Sequence, residues 1–433
     1  VAAINGLSRL QVLGKLEIPA SMIGLVWNSM MSMAGGWFVL NVAETFTLKD
    51  RSFRLPGIGS YMQEAFTEGN VRAEVLAILA MVILIVAVDQ FFWRPIVAWS
   101  ERFKMEETAD VDKAQSWVLS MLQHSFIYET ASAWLKRRKA ARMAAFGGAE
   151  ATARVPQKGS IGNGSNAGDV PQRPLPSPER ALVMAVINWT IVVFLAAVAL
   201  WGAVRMGELL KQVKLHEWGQ LLLALLASLA RTTAAVALGC AWCLPAGIII
   251  GLSPRWSQRL QPIVQVLASF PAPMLFPFLT VLLVMVHIPF TIGCVALMLL
   301  GTQWYVLFNV IAGASGIPGE MKEVSRVYNM PRWKRWTRLY IPGVFPQLVT
   351  GLVTAAGGAW NTTIIAEYVQ ATQTSQPVVA FGLGSTICEA TNNANFPLLA
   401  AAVVVMAAAV VTLNRLGWKR LYRLAEDRYS LNV

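Results

Sequence analysis

Charged residues are scarce in this chain, and their scarcity sets its physical class. Of the 433 residues, 14% are charged and 55% are hydrophobic, whereas a soluble domain carries about 25% charged residues. The mean hydropathy of +0.51 agrees with this excess of apolar residues. The composition therefore predicts a protein that folds in lipid.

The motifs that bind metals and nucleotides are also missing. The chain has three histidines and contains no HExxH, EF-hand or Walker A pattern, so neither a metal site nor ATP binding by a P-loop is expected. Cys240 and Cys243 form a CxxC pattern inside an apolar run. We interpret it as small-residue packing and not as a metal or redox site. The sequence thus predicts no catalytic residues and no cofactor.

Long apolar runs are abundant. A helix needs roughly 20 apolar residues to cross about 30 Å of hydrocarbon. Eight runs reach this length and predict an all-α, polytopic membrane protein: 20–43, 71–92, 182–204, 222–251, 260–285, 288–312, 342–366 and 395–417.

The net charge of +12 could indicate nucleic acid, but basic residues of membrane proteins collect on the cytoplasmic side. Residues 316–341 hold six Lys or Arg and residues 367–394 hold none. We therefore predict that residues 316–341 are cytoplasmic and residues 367–394 external. Counting back along the spans places residues 1–19 and 93–180 in the cytoplasm. No nucleic-acid partner is expected.

One long stretch lies outside the apolar runs. Residues 111–146 are expected to form an amphipathic helix, which could lie on the anionic lipid leaflet or pack on the protein's own helices. Residues 147–180 are rich in Gly, Pro, Ser and Asn, a composition that predicts a disordered linker.

The chain contains an internal repeat. At an offset of 323 positions, eleven of the first 44 residues recur. The matched pairs include Arg9/Arg332, Pro19/Pro342, Gly35/Gly358, Trp37/Trp360 and Glu44/Glu367. The match resumes as GIGSYMQEA (57–65) against GLGSTICEA (382–390). Repeats of this kind indicate duplicated structural units.

Each copy contains a basic segment before its apolar run. A short helix is expected to end at a turn residue, Gly6 or Asn329. A second, basic helix is expected to follow, and Pro19 or Pro342 then begins the next span, because proline is tolerated in the first turn of a helix. We interpret this helix–turn–helix element as a docking element on the cytoplasmic face.

This pattern resembles the EAA loop of binding-protein-dependent ABC importer permeases, E-A-A-x3-G-x9-I-x-L-P. The loop residues of the second copy are Glu323, Val324, Ser325, Asn329, Ile341 and Pro342, and those of the first are Val1, Ala2, Gly6, Ile18 and Pro19. Asn329 replaces the glycine, and Asn tolerates a left-handed turn. The stretches SLARTTAAVALGCAWCLPAGIIIGLSPRW (228–256) and FPAPMLFPF (270–278) resemble the nitrate/sulfonate/taurine branch.

The resemblance implies two fused permease domains, with residues 1–103 as the last part of a first domain that is truncated at Val1. Residues 104–180 would then be helix and linker, and residues 181–433 a complete six-helix domain. Expected partners are two ABC ATPase subunits, one for each loop, and a periplasmic or extracellular solute-binding protein. The expected location is the bacterial inner membrane, and the expected solute is a small oxyanion.

Polar residues within the apolar runs are candidates for lining the translocation path. The second copy has Asn361, Thr362 and Thr363 where the first has Phe38, Val39 and Leu40. Hydroxyl and amide groups in membrane helices usually face protein or water. These three residues could therefore contact the solute or form interhelical hydrogen bonds.

Arg231 is a fourth candidate for the path, because an arginine within a membrane span is costly and often functional. The alternative is an anchor at the membrane interface. Glu44 and Glu367 are expected to make scaffold contacts, since a carboxylate repels an oxyanion.

Two further function classes stay open. An importer of this family could carry a different solute, such as an amino acid or a metal. A secondary transporter also uses internal repeats, although those are often inverted, whereas both copies here have the same predicted orientation.

Overall fold

The computed structural model describes residues 12–48, 51–100, 178–369 and 378–429. Val1, Ala2, Gly6 and the predicted amphipathic helix lie outside these ranges, as does the predicted linker up to residue 177. The contacts divide the chain into two units, residues 117–208 and residues 1–116 with 209–433.

Helices make up most of the described residues, which confirms the all-α prediction. Those of the first copy are α1 (Ile18–Phe38), α2 (Leu40–Glu44), α3 (Ile58–Thr67), α4 (Val71–Val88) and α5 (Arg94–Ser100). The later ones are α6 (Pro178–Leu210), α7 (Leu215–Leu252), α8 (Pro254–Ser269), α9 (Phe276–Met285), α10 (Phe290–Ser315), α11 (Gly319–Val327), α12 (Arg332–Arg335), α13 (Ile341–Ala366), α14 (Leu383–Asn392), α15 (Phe396–Leu413) and α16 (Lys419–Tyr429).

Two short antiparallel hairpins complete the described secondary structure. Strand β1 (Thr45–Leu48) pairs with β2 (Arg51–Arg54), and β3 (Tyr368–Val369) pairs with β4 (Val378–Val379). Each hairpin lies beside the matched glutamate, Glu44 or Glu367. The two copies therefore share this hairpin as well as their sequence.

Six helical stretches of the described residues are long and apolar enough to cross a membrane. They are Val71–Ser100, Trp189–Leu210, Leu215–Leu252, Phe290–Ser315, Arg332–Ala366 and Phe396–Tyr429. Each coincides with a predicted span. The predicted span 20–43 is helical over α1 but contains Asn28 and several serines and glycines, which lower its hydropathy. The predicted number of eight spans is not confirmed.

The prediction of a single helix over residues 260–285 is wrong. The chain leaves α8 at Phe270, where the backbone is extended, and passes through a 3₁₀ turn, Ala272–Leu275, before α9 begins. Pro271 explains the break, because a residue that precedes proline is pushed out of the helical region and proline donates no backbone hydrogen bond.

Pro342 lies in the first turn of α13, as predicted, yet no break separates α13 from the helix before it. The basic helix α12 continues through a π-helical stretch, Trp336–Tyr340, directly into α13. Ile341 donates its N–H to the carbonyl of Trp336, five residues back. This wider turn is consistent with the ring of Pro342, which would crowd the carbonyl four residues before it and has no N–H to offer.

The first copy has the same π-helical stretch before its proline. Its π-helical stretch is Leu13–Glu17, directly before Ile18 and Pro19, and Ile18 donates to the carbonyl of Leu13. A second matched pair of π-helical stretches, Asp89–Trp93 and Asn414–Trp418, follows α4 and α15. The repeat thus extends to local backbone geometry.

The core of the second copy is a bundle of α7, α10 and α13. Small residues let these helices approach closely: a methyl group on Gly251 of α7 would lie 2.6 Å from the carbonyl oxygen of Ile311 on α10. The first copy packs on the second through α3 and α4, whose Met62, Phe66 and Met81 form one buried cluster with Met274.

One tyrosine joins the two copies. The ring of Tyr305 on α10 lies beside Gly358 of α13, and its hydroxyl lies beside the matched Gly35 of α1. A methyl group on Gly358 would lie 3.1 Å from the ring, and one on Gly35 would lie 3.4 Å from the hydroxyl. The two matched glycines therefore face the same side chain from opposite copies.

Candidate functional site

The predicted docking loop of the second copy is a helix, a tight turn and a second helix. Helix α11 ends in a Schellman motif, in which Met330 donates to the carbonyl of Ser325 and Asn329 donates to that of Arg326. Asn329 has φ of +46°, so the expectation of a left-handed turn here is confirmed. Arg335 on α12 donates its Nε–H to the carbonyl of Met330 over 2.9 Å. The turn is thereby held to both helices.

The outer face of this loop carries both apolar and basic side chains. We call it the loop surface: Val324, Val327, Tyr328 and Trp333, of which Val327, Tyr328 and Trp333 are more than three-quarters exposed. The exposed cations Arg326, Arg332 and Lys334 surround these side chains. Large apolar side chains that stay exposed within a charged rim are typical of a protein–protein interface.

The individual loop residues differ in their environment. Glu323 and Val324 are exposed, whereas Ser325 is buried and its hydroxyl donates to the carbonyl of Lys322 over 2.7 Å. Burial, and then the nearby charge of Arg326, lowers the pKa of the Lys322 ammonium group. Ser325 therefore supports the loop from inside, and Glu323 and Val324 are available to a partner.

The remaining predicted loop residues fall into two groups. Ile341 and Pro342 form the first turn of α13, and Ile18 and Pro19 form the first turn of α1. Val1, Ala2 and Gly6 lie outside the described residues, so the geometry of the first loop stays a prediction.

Arg231 lies in a buried polar cluster. Its guanidinium nitrogen contacts the Glu367 carboxylate at 2.7 Å, and further N–H groups donate to the carbonyls of Thr291 and Phe381. The arginine side chain is 8% exposed and the glutamate side chain 0%. The positive charge of Arg231 is therefore neutralised by Glu367, so the structure favours a buried ion pair with a structural role, which differs from the interfacial anchor that was the alternative. Its predicted place on the path stays untested.

The same carboxylate holds the start of α14. Glu367 accepts hydrogen bonds from the Ser228 hydroxyl at 2.7 Å and from the N–H of Gly384 at 2.8 Å. The unpaired N–H groups of a helix N-terminus favour a negative charge. Gly382 is required by close approach, since a methyl group there would overlap the carboxylate. Glu367 thus makes scaffold contacts, as expected.

The first copy holds its matched helix in the same way. Glu44 accepts a hydrogen bond from the N–H of Ser60 at 3.0 Å, at the start of α3. A methyl group on Gly57 would overlap the Glu44 carboxylate, as one on Gly382 would overlap Glu367. Among the described residues, no cation is paired with Glu44 as Arg231 is with Glu367.

The three polar candidates on α13 differ in their exposure to solvent. Asn361 is exposed, whereas Thr362 and Thr363 are buried. Their hydroxyls donate to the carbonyls of Gly358 and Trp360 within the same helix. The exposure of Asn361 suits a path residue, whereas the two threonines make hydrogen bonds within their own helix and not the interhelical ones that were the alternative.

Nothing in the described part of the chain gathers three or more His, Cys, Asp or Glu side chains that could hold a metal ion. Cys243 is buried, and its thiol lies 3.3 Å from the carbonyl of Gln303. The described residues therefore form a scaffold with an exposed loop surface.

Comparison with known proteins shows what the scaffold is similar to. Residues 243–429 match the family of binding-protein-dependent transport system inner membrane components. The matched range begins in α7 and includes the loop surface, Glu367 and all of α13 to α16, so the resemblance found in the sequence is confirmed.

Several relatives agree with the predicted branch. The chain is 25% identical to a nitrate import permease protein of Leptolyngbya laminosa over 170 residues, 39% of this chain and 57% of the relative. It is 28% identical to a bicarbonate transport system permease protein of Synechocystis (33% and 50%). It is 26% identical to a taurine transport system permease protein of Escherichia coli (46% and 68%). The chain spans about half the length of the first two relatives.

Ser228 is the functional-site residue that the sequence interpretation missed. It lies one helical turn before Arg231 on α7, and its hydroxyl both donates to Glu367 and accepts from the N–H of Leu383. A signal was available for the partner of Arg231, because an arginine within a membrane span usually pairs with an opposite charge or with backbone carbonyls and Glu367 is a matched position, but no such signal indicated Ser228.

Proposed function

We propose that this chain is the membrane-spanning permease subunit of an ATP-driven importer of the ABC class. The main observation behind the proposal is the loop surface, where aromatic and aliphatic side chains are exposed. Hydrogen bonds fix the turn of this loop to the two helices beside it. The matched family and its transport relatives support it.

The partners follow from this assignment. The loop surface would dock on an ABC ATPase subunit, and the matching loop of the first copy would dock on a second. An external solute-binding protein would deliver the solute at the side that holds α14. The location would be the cytoplasmic membrane of a bacterium.

The solute class is a small oxyanion. Nitrate, bicarbonate and the sulfonate group of taurine, which name the relatives, share oxygens that accept hydrogen bonds and carry negative charge. The relatives do not favour a metal or a proteinogenic amino acid, and their family does not favour a secondary transporter.

A substitution on the loop surface tests the docking. Val327→Asp places a charge in the centre of the proposed interface, and we expect the amount of co-purified ATPase subunit to fall at least tenfold, which corresponds to about 1.4 kcal/mol. Leu215→Asp is the matched control, because Leu215 is 88% exposed and Val327 is 79% exposed, and the count of predicted spans places residues 205–220 on the external side.

The thermal stability of both purified variants would be measured alongside. Loss of the ATPase from Val327→Asp at unchanged stability supports the docking. Equal ATPase recovery from Val327→Asp, Leu215→Asp and the unsubstituted chain would refute it.

A further inference from the structure

Helix α13 has one polar face. Its five most exposed residues are Gln347, Thr350, Thr354, Gly357 and Asn361. They are spaced by three and four positions, so they form a single line along the helix. Every residue of α13 is described, and no large apolar side chain belongs to this exposed line. We call it the α13 stripe.

Other spanning helices of this chain expose a different set of side chains. The most exposed residues of α15 include Val403 and Val411, and those of α7 include Leu238 and Ile249. Such residues suit contact with lipid tails. An amide that faced lipid would lose its hydrogen bonds to water without replacing them, which is strongly unfavourable. The α13 stripe is therefore unsuited to lipid.

The polar groups of the stripe keep hydrogen-bonding capacity. Thr350 and Thr354 donate to the carbonyls of Pro346 and Thr350 over 3.2 and 2.9 Å, and their lone pairs stay available. Within the described part of the chain, the side-chain amides of Gln347 and Asn361 have no hydrogen-bond partner. Both amides can therefore bind water or a solute.

The length of the stripe matches a membrane crossing. From Gln347 to Asn361 the helix rises about 21 Å at 1.5 Å per residue. This is most of the roughly 30 Å hydrocarbon thickness. A polar line of this length can accompany a solute through the greater part of the bilayer.

The first copy differs at every matched position. At the offset of 323, the α13 stripe corresponds to Gly24, Trp27, Met31, Ala34 and Phe38. No amide or hydroxyl side chain stands at any of them. The duplication has therefore kept the scaffold residues Gly35, Trp37 and Glu44 and changed the line beside them.

We propose that the α13 stripe lines a water-filled path and offers a small oxyanion two neutral hydrogen-bond donors, the side-chain amides of Gln347 and Asn361, from one copy only. The inference rests on the proposed function for its solute class. Neutral amides suit passage, since a site in a path must bind strongly enough to admit the solute and weakly enough to release it. Arg231 would bind an oxyanion more strongly, but Glu367 already neutralises its charge.

Thiol accessibility tests the path without any knowledge of the solute. Thr354→Cys and Asn361→Cys would be treated with a membrane-impermeant, sulfonate-bearing methanethiosulfonate, with the unsubstituted chain as the blank for its four native cysteines. We expect both to react at least tenfold faster than Val411→Cys, which is exposed on α15, and Ala359→Cys, which is buried on α13. Rates equal to those two controls would overturn the inference.

A transport measurement tests the role of the donors. Asn361→Leu and Gln347→Met keep a side chain of similar length and remove the amide, and we expect uptake of labelled nitrate, bicarbonate or taurine to fall at least fivefold while co-purified ATPase is unchanged. Uptake equal to that of the control Ile249→Ala, which is exposed on the apolar face of α7, would overturn the donor role.

The two proposals fail separately. Slow thiol modification together with normal ATPase recovery refutes the path and leaves the permease function in place. Fast modification without any bound ATPase refutes the permease function and leaves a water-exposed face on α13.

Discussion

The ion pair between Arg231 and Glu367 allows a quantitative prediction. Both side chains are buried, at 8% and 0% exposure, and the nitrogen–oxygen distance is 2.7 Å. The change we propose is Glu367→Gln, which keeps the shape and one acceptor oxygen but removes the charge. Arg231 would then be left as a buried cation whose remaining partners are the carbonyls of Thr291 and Phe381.

The expected cost is large. Breaking a buried ion pair by removing one partner costs about 3–5 kcal/mol, because the other charge stays in a poorly solvated site. We expect Glu367→Gln to lower the free energy of unfolding by about this amount. Arg231→Met should cost a similar amount, because it leaves the Glu367 carboxylate buried without its cation.

A matched control lies within the same chain. Arg205 and Glu208 also pair an arginine with a glutamate, at 2.8 Å, but their side chains are 63% and 53% exposed. Exposed pairs contribute about 0.2–1 kcal/mol. Glu208→Gln should therefore cost less than about 1 kcal/mol, although its geometry is nearly the same.

The assay is denaturant unfolding of the purified chain in detergent, arranged as a double-mutant cycle. The variant with both Arg231→Met and Glu367→Gln should lose less unfolding free energy than the two single variants lose together, by at least about 2 kcal/mol. Neither charge is then left buried without a partner. Equal losses for Glu367→Gln and Glu208→Gln, or additivity within about 0.5 kcal/mol, would refute the reasoning.

Two further pairs of variants, each with its own control, test the backbone. Asn329→Val should destabilise the chain by about 1–2 kcal/mol and Asn329→Gly should not, because a β-branched residue is strained at φ of +46°; equal melting temperatures would contradict this. Gly251→Ala should cost about 1–3 kcal/mol by overpacking against Ile311 and Ala314, whereas Gly202→Ala, with nothing within 4 Å, should be neutral or slightly stabilising in the same melts.

Much of the scaffold could be predicted from the sequence, because its signals are local. Apolar length identified six helical stretches that the structure also has, and the repeat identified the matched scaffold positions. The left-handed turn at Asn329 follows from its place in the loop pattern and from the tolerance of asparagine for that conformation. Each of these inferences can be made by comparing segments of the sequence and needs no knowledge of contacts between distant residues.

The remaining features depend on contacts between distant residues or on subtle backbone choices. Ser228 and Glu367 are 139 positions apart, so only the fold brings them together. Pro342 lies in the first turn of α13, as predicted, but the pattern gave no sign of the π-helical stretch that joins α12 to α13. The α13 stripe could not be predicted because exposure depends on which neighbouring helices cover each side of α13.

The continuity of α12 and α13 turns the loop surface into one end of a lever. From Ile341 to Ala366 the helix has 26 residues, a length of about 39 Å. A tilt of about 5° at the π-helical stretch would move Ala366 by about 3 Å over that length. Glu367, which holds the start of α14, is the next residue. A displacement of the loop at one face of the membrane would therefore be transmitted to the opposite face along one continuous helix. The matching π-helical stretch before Pro19 gives the first copy a point of rotation of the same kind.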